Sequence, residues 1–414
     1  MRHLTLLVML CCVQLSPAQY ADPNFPIPAM GYGSNGPHTI GVVAFPNPNF
    51  ANQDIRIYHP SDITEQVPTL FYSHAFGGND PQNIIGLLEF VARKGYAIVF
   101  VPYQTVGVSV PERYDNLLAG FRKAARDHPQ IIDTTRVGFM GHSFGGGATI
   151  ATAYRCFSEN GWGQNGRYMH ASAPWYSFNI SQAELQSFPA DTKLLMQVYD
   201  DDTVNDHRMA VDIFSNINID ADEKDFIVVR ADTVNGYIYE AGHNLPMTYA
   251  AFDAMDHYAY YRLIDALCDY TFNGNLAGKE VALGNGSAAQ VGMPPGMNDL
   301  VQSDAPFVDY PESRYGFPCS AAGNPRSMYC AITTGLPDPN SSAEMRIFPN
   351  PFLDRIQLEN APSNAQYSVH DVLGRTVFMS GTMPTMDLGQ LSNDIYFLKV
   401  MTADRTWTFP IIKQ

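Results

Sequence analysis

The chain is short of positive charge. Across 414 residues, 25 Lys and Arg stand against 41 Asp and Glu, a formal net charge of -16, which excludes the extended basic footprint that nucleic acid needs. A small anionic ligand bound at a local site is not excluded. Long apolar runs are scarce as well. The one run of note, Leu4 to Val13, follows Arg2 and precedes Ser16-Pro17-Ala18. It is too short to span a bilayer and has the make-up of a signal peptide over residues 1–18, so an exported chain without a transmembrane helix is expected. Cysteine is sparse too, six in all, and Cys11 and Cys12 would leave with that leader. The remaining Cys156, Cys268, Cys319 and Cys330 are an even number, which suits disulfides in an oxidising compartment. Three pairings exist. Closeness within a Pro/Gly-rich stretch favours Cys319 with Cys330, which leaves Cys156 with Cys268 on two helices. No CxxC or Cys/His spacing points to a metal, and none is expected.

What the chain does have is 45% hydrophobic and 12% aromatic residues, enough for one large globular domain and something smaller. From about Tyr20 to Phe272, short apolar strands alternate with amphipathic helical stretches, the pattern of an α/β fold with a mostly parallel, doubly wound sheet. Strands are expected at Asp54–Tyr58, Thr69–Ser73, Tyr96–Val101, Val137–Met140, Met169–Ala173, Leu194–Tyr199 and Phe226–Val229. Helices are expected at Glu112–His128, Gly146–Phe157 and Tyr249–Tyr270. Past Asn273 the periodicity fades into Gly, Pro, Asn and Ser until Cys330, and Thr334 to Ala343 reads as a linker. The expected division is a leader over 1–18, a large domain over 19–333, a linker over 334–344 and a small unit over 345–414. Alternating runs at Tyr367–Val372, Thr376–Met379 and Ile395–Met401 make that last unit a small antiparallel sandwich.

Gly141-His142-Ser143-Phe144-Gly145 fits G-x-S-x-G, directly after the strand expected to end at Met140 and before a helix of small residues. The glycines serve a strained strand-to-helix turn that lifts the serine hydroxyl to a helix N-terminus, where free N–H groups favour developing negative charge. A serine becomes a nucleophile only when a histidine takes its proton and an acid holds that histidine in the right tautomer. In this arrangement the acid and then the histidine follow the serine along the chain.

Five histidines follow Ser143. His243 lies in Glu240-Ala241-Gly242-His243-Asn244, in a loop before the last long helix, and is the expected base. His170 falls in a strand, His207 opens a helix, His257 lies inside the last helix and His370 lies in the small unit. The acid follows the strand Leu194–Tyr199, where Asp200, Asp201 and Asp202 stand together. Asp202, in Asp202-Thr203-Val204, is the choice, with Asp201 second. This acidic run lacks the spaced loop of a calcium-binding EF-hand. Two backbone N–H groups must face the oxyanion. The first is that of Phe144. The second is assigned to Phe76 in Ser73-His74-Ala75-Phe76-Gly77-Gly78, where Ala75 replaces a usual glycine.

On these residues, about 250 positions of the chain resemble the α/β-hydrolase superfamily, and within it cutinase-like polyester hydrolases and dienelactone-hydrolase or chlorophyllase-type esterases. The resemblance implies a serine esterase that needs no cofactor, and a monomer is expected. Ala173-Pro174-Trp175 resembles the segment by which polyester hydrolases stack a tryptophan on an aromatic acyl group; a tryptophan of the core or rim is the alternative reading. Only residues 178–192 separate Ser177 from the strand expected near Lys193, too few for a large cap. The expected cleft is open and lined by Phe76, Phe144 and Trp175, with an ester or polyester as substrate. A lipase or peptidase on the same plan, an inert polymer-binding protein and an adhesive protein are the competing readings.

Met345-Arg346-Ile347-Phe348-Pro349-Asn350-Pro351-Phe352, Asp371-Val372-Leu373-Gly374-Arg375, Ile395-Tyr396-Phe397-Leu398-Lys399-Val400 and the end Ile411-Ile412-Lys413-Gln414 resemble the type A sorting domain of type IX secretion in Bacteroidetes. Asp394 stands where glycine is frequent. The resemblance implies export through the periplasm to the cell surface or medium, with the secretion machinery as partner.

Overall fold

The computed structural model describes residues 19–330, 346–359, 365–371, 375–380, 385–402 and 406–413. The expected leader and linker, and Val372-Leu373-Gly374 of the tail, lie outside the described residues. The chain divides into two compact units, Met1–Ile332 and Thr333–Gln414.

In the large unit, β1 (Ile40–Pro46), β2 (Asp54–Pro60), β3 (Val67–Ser73), β4 (Ala97–Phe100), β5 (Ile132–His142), β6 (Arg167–Ser172), β7 (Thr192–Tyr199) and β8 (Lys224–Val229) enter one nine-stranded sheet. β9 (Asp232–Val234) and β10 (Tyr237–Tyr239) form a separate hairpin, and β11 (Val301–Gln302) completes the large sheet. Its order is β1-β2-β4-β3-β5-β6-β7-β8-β11. The central strands from β4 to β8 run parallel, while β1, β2 and β11 pair antiparallel. The sheet is therefore mixed: its larger part is parallel, as expected, and antiparallel strands stand at both edges. Only residues 47–53 join β1 to β2, and so short a connection can return the chain only in the opposite direction.

Helices α1 (Ile85–Arg93), α2 (Val110–Asp127), α3 (Phe144–Asn160), α4 (Gln182–Leu185), α5 (Arg208–Asn216), α6 (Arg262–Asn273), α7 (Leu276–Ala282) and α8 (Ala288–Val291) accompany the strands. The sheet buries both faces because its strands alternate apolar residues in both directions. On β3, Leu70 and Tyr72 enter one core with Leu87, Leu88 and Val91 of α1 and Leu263, Ile264 and Leu267 of α6. Val67 and Phe71 enter the other with Leu117, Leu118 and Phe121 of α2, Ala148 and Ala151 of α3, and Ile213 and Phe214 of α5. Ser109 and Glu112 form a capping box that starts α2, a device that contributes about 1 kcal/mol.

β5 begins five residues before the strand expected at Val137, and two further differences have a local cause. The helix expected from Tyr249 begins later, with a π-helical stretch over Met255–Tyr261 leading into α6. The Asp253 carboxylate accepts the Met255 N–H, and the Asp256 carboxylate accepts the Asp253 N–H, so local capping starts the helix there and leaves 249–252 in a turn. The stretch after Asn273 also holds more structure than its composition suggests, since Asn275 and Ser287 cap α7 and α8.

The small unit consists of antiparallel strands in two sheets. β12 (Arg346–Phe348), β13 (Arg355–Glu359) and β16 (Thr385–Asp387) form one, and β15 (Thr376–Ser380), β14 (Gln366–His370), β17 (Ile395–Met401) and β18 (Thr406–Ile412) form the other. Its core contains Ile356, Leu358, Tyr367, Val369, Leu398 and Val400. Tyr396, Leu398 and Val400 are buried while Phe397 is exposed, the period of two that one buried sheet face produces.

Candidate active site

Ser143 sits between β5 and α3 with φ 57° and ψ -120°, a backbone region that side chains make costly. The local sequence allows it. A Cβ at Gly145 would collide with the Ser73 carbonyl at the end of β3 and stand 2.6 Å from the His74 carbonyl oxygen, and one at Gly141 would stand 2.6 Å from Thr149 Oγ1. Only glycine lets β5, α3 and β3 approach this closely. The turn is fixed by the Ser143 N–H donating to Ser172 O (3.0 Å) and by Ser143 O accepting from Trp175 N (2.8 Å).

His243 Nε2 lies 2.9 Å from Ser143 Oγ, and His243 Nδ1 lies 2.7 Å from Asp202 Oδ2. With the Asp202 carboxylate as acceptor, Nδ1 carries the proton and Nε2 is free to accept that of the serine. Asp202 is fully buried, and its Oδ1 accepts the N–H groups of Val204 (2.7 Å) and Asn205 (3.1 Å). Burial pushes the carboxyl up, but the hydrogen bond and charge of His243 and those two N–H groups more than offset it, so it sits below its usual value. Asp201 is exposed, and its N–H ties the acid loop to the base loop at Ala241 O (2.9 Å). Asp200 Oδ1 accepts the Tyr310 hydroxyl.

Two buried histidines brace these loops in neutral form. His142 donates from Nε2 to the His243 carbonyl (2.7 Å), and burial pushes its pKa down to about 3. His74 donates from Nδ1 to Ala75 O (2.7 Å) and accepts the Tyr103 N–H at Nε2 (3.1 Å), with its pKa pushed down to about 4 by burial. It thereby fixes the turn that carries Phe76. Among the described residues neither the Phe76 nor the Phe144 N–H donates to a protein acceptor.

The aromatic side chains around Ser143 differ in access. Phe144 is buried and stacks on Trp175 at 5.4 Å. Trp175 is half-buried and meets Tyr176, Phe178 and Phe317. Phe76 and Phe317 are 56% and 43% exposed, so of these rings they are the ones with most face free for a ligand. Residues 173–191 contain only the single-turn helix α4. Of the other downstream histidines, His170 and His257 are buried, bonding Gln197 and Gly33 O, His207 takes the N-cap position of α5 without a side-chain capping bond and lies close to Asp202, and His370 belongs to the small unit.

Cys319 and Cys330 are disulfide-bonded, with Cα atoms 5.6 Å apart. Cys156 and Cys268 are not; both are free and buried. The expected second bridge fails because α3 and α6 cover opposite faces of the sheet, placing Cys156 in one core and Cys268 in the other. Burial pushes both thiols up and keeps them protonated.

Sequence reasoning misses the part played by residues 303–330. Phe317 forms a parallel bridge with Asn205, and the Asn205 side chain donates to Ala173 O (2.9 Å) and reaches Ser143 Oγ at 3.4 Å. The disulfide was the one signal in this stretch.

Residues 346–414 match the family described as secretion system C-terminal sorting domain. The chain thus carries an export-sorting tail, which implies interaction with the secretion machinery. No curated protein matches the chain. Among the described residues no helix is long and apolar enough to cross a membrane.

Proposed function

We propose that the large unit is an exported serine hydrolase of carboxylic esters, built on the α/β-hydrolase plan and similar to cutinase-like polyester hydrolases. The observation that carries the reading is the chain Ser143 Oγ to His243 Nε2 to Asp202 at 2.9 and 2.7 Å, mounted on the strained turn between β5 and α3. Ser143 Oγ attacks the ester carbonyl carbon while its proton passes to His243 Nε2. The carbonyl oxygen takes up the electron pair and is held by the Phe76 and Phe144 N–H groups. Collapse breaks the bond to the alcohol, which leaves with the proton from His243, and an acyl-enzyme remains. Water then gives a proton to His243, attacks the acyl carbon, and the acid departs as Ser143 regains its proton. No step calls for a cofactor.

Exposed Phe76 and Phe317, the latter edge-on to Trp175, suit a bulky or aromatic acyl group, and export suits a substrate too large to import. The test is hydrolysis of p-nitrophenyl esters of graded acyl length and of an amorphous aromatic polyester film, with Ser143→Ala as control. Activity on short esters and film that vanishes in the variant is expected. Turnover restricted to long chains would make it a lipase, and a folded wild type that hydrolyses nothing and resists phosphonate labelling would refute the reading.

A further inference from the structure

We propose that residues 303–330, closed by the Cys319–Cys330 disulfide, are a brace that sets the orientation of the Asp202 carboxylate, with Asp206 as the positioning residue that anchors it. The inference rests on the serine-hydrolase reading of Ser143, His243 and Asp202.

Two peptide planes join the brace to Asp202. The Val204 N–H donates to Asp202 Oδ1, and the carbonyl of the same peptide unit, Thr203 O, accepts the Gly316 N–H at 2.8 Å. The Asn205 N–H also donates to Asp202 Oδ1, and the carbonyl of its peptide unit, Val204 O, accepts the Phe317 N–H at 2.8 Å. Because a peptide unit is rigid and planar, holding its oxygen fixes the direction of its N–H. Gly316 and Phe317 therefore aim both backbone donors to Asp202 Oδ1, though neither touches the carboxylate.

Asp206 joins the same loop to the brace. It is 1% exposed. Its Oδ2 accepts the Cys319 N–H (3.0 Å), its Oδ1 accepts the Arg208 backbone N–H and Nη1 (each 3.0 Å), and its own N–H donates to Phe317 O (3.2 Å). Arg208 in turn donates to Val308 O and Tyr310 O, and Arg314 donates to Asp200 O. The brace has little regular structure of its own, only two short 3₁₀ turns at Glu312–Arg314 and Ser327–Tyr329 beyond β11. Its shape depends on the disulfide, on Asn324 Nδ2 bonding Cys319 O (2.8 Å), and on the buried Arg326–Asp212 pair. Ordering so irregular a segment is entropically costly, and a covalent closure reduces that cost.

The test compares full-length wild type, the double variant Cys319→Ser/Cys330→Ser and Asp206→Ala on a short p-nitrophenyl ester, with kcat and KM measured separately and folding followed by near-UV circular dichroism. Asp202→Asn marks the floor. A misaimed acid is expected to lower kcat by about ten- to a hundred-fold with KM within about twofold, and to slow fluorophosphonate labelling of Ser143 in parallel. A brace that served fold stability alone would leave kcat of the folded fraction unchanged. Should a variant not fold, wild type reduced by dithiothreitol under native conditions decides. Cys156 and Cys268 are already thiols, so a fall in kcat restored by reoxidation belongs to Cys319–Cys330. A kcat within twofold of wild type in either folded variant, or in reduced wild type, overturns the proposal. Oxidised wild type without any ester turnover or labelling would instead sink the hydrolase reading, and the brace with it.

Discussion

Replacing Ser143 by glycine and, separately, by alanine isolates the strain in the nucleophile turn. Both variants lose the hydroxyl and its bonds to His243 and Asn205, so their difference reports the backbone alone. At an ordinary position glycine is less stable than alanine by about 0.5–1 kcal/mol, because its unfolded chain has more freedom to lose. At φ 57° and ψ -120° a residue with a Cβ carries about 1–3 kcal/mol of strain that glycine does not. Setting the middle of one range against the other leaves Ser143→Gly more stable than Ser143→Ala by about 1 kcal/mol. Urea unfolding followed by tryptophan fluorescence measures it, since Trp162 and Trp175 both lie in the large unit. Equal denaturant slopes would show that the comparison concerns stability. An alanine variant as stable as the glycine variant, or more so, would show that the turn stores no strain at Ser143.

Acid should weaken the large unit through its buried histidines, against which the burial-raised carboxyls of Asp253, Asp256 and Asp265 work in the opposite sense. His74, His142 and His170 are buried, with folded pKa values pushed down by burial to about 4, 3 and 4. Unfolding raises each toward the ordinary value near 6.5, so below that pH the unfolded state gains protons that the folded state refuses. Stability is then complete above about pH 6.5 and falls toward pH 4 by up to about 1.4 kcal/mol per pH unit for each group. A urea midpoint that stays flat between pH 7 and 4.5 would contradict this. Arg326→Met should cost about 3–5 kcal/mol, because it strands the Asp212 carboxylate in the interior. Both partners are at least nine-tenths buried and bond at 2.6 and 2.8 Å. Adding Asp212→Leu should recover much of the loss, and a single variant as stable as wild type would mean that the pair contributes nothing.

Much of the layout is legible in the sequence where one short stretch contains its own cause. Gly141 to Gly145 carry their turn with them, and Asp202 follows β7 and precedes α5, whereas His243 follows the β9–β10 hairpin, which stands outside the large sheet. The sheet edges are harder, because β11 is only two residues long and owes its place to pairing with Val228 and Ile227. The Cys156–Cys268 pairing fails for a related reason. Periodicity shows that a helix has a buried face, but not which side of the sheet receives it. The brace is the least legible part, since Gly316 and Phe317 act through backbone groups on partners more than a hundred positions away, and backbone groups leave no trace in side-chain pattern.

The order of the site's pieces along the chain has a consequence for biosynthesis. The Phe76 turn, Ser143, the Trp175 segment, the Asp202 loop and the His243 loop emerge in that sequence, and the Cys319–Cys330 loop comes after them all. A nascent chain that has passed residue 230 holds Ser143 and Asp202 without His243, and one that has passed residue 300 still lacks the Gly316 and Phe317 N–H groups that bond Thr203 O and Val204 O. Contacts of such long sequence separation are slow to close. On the proposed reading, the large unit would therefore be synthesised without a complete site, which would form only when the last stretch before the sorting tail settles into place.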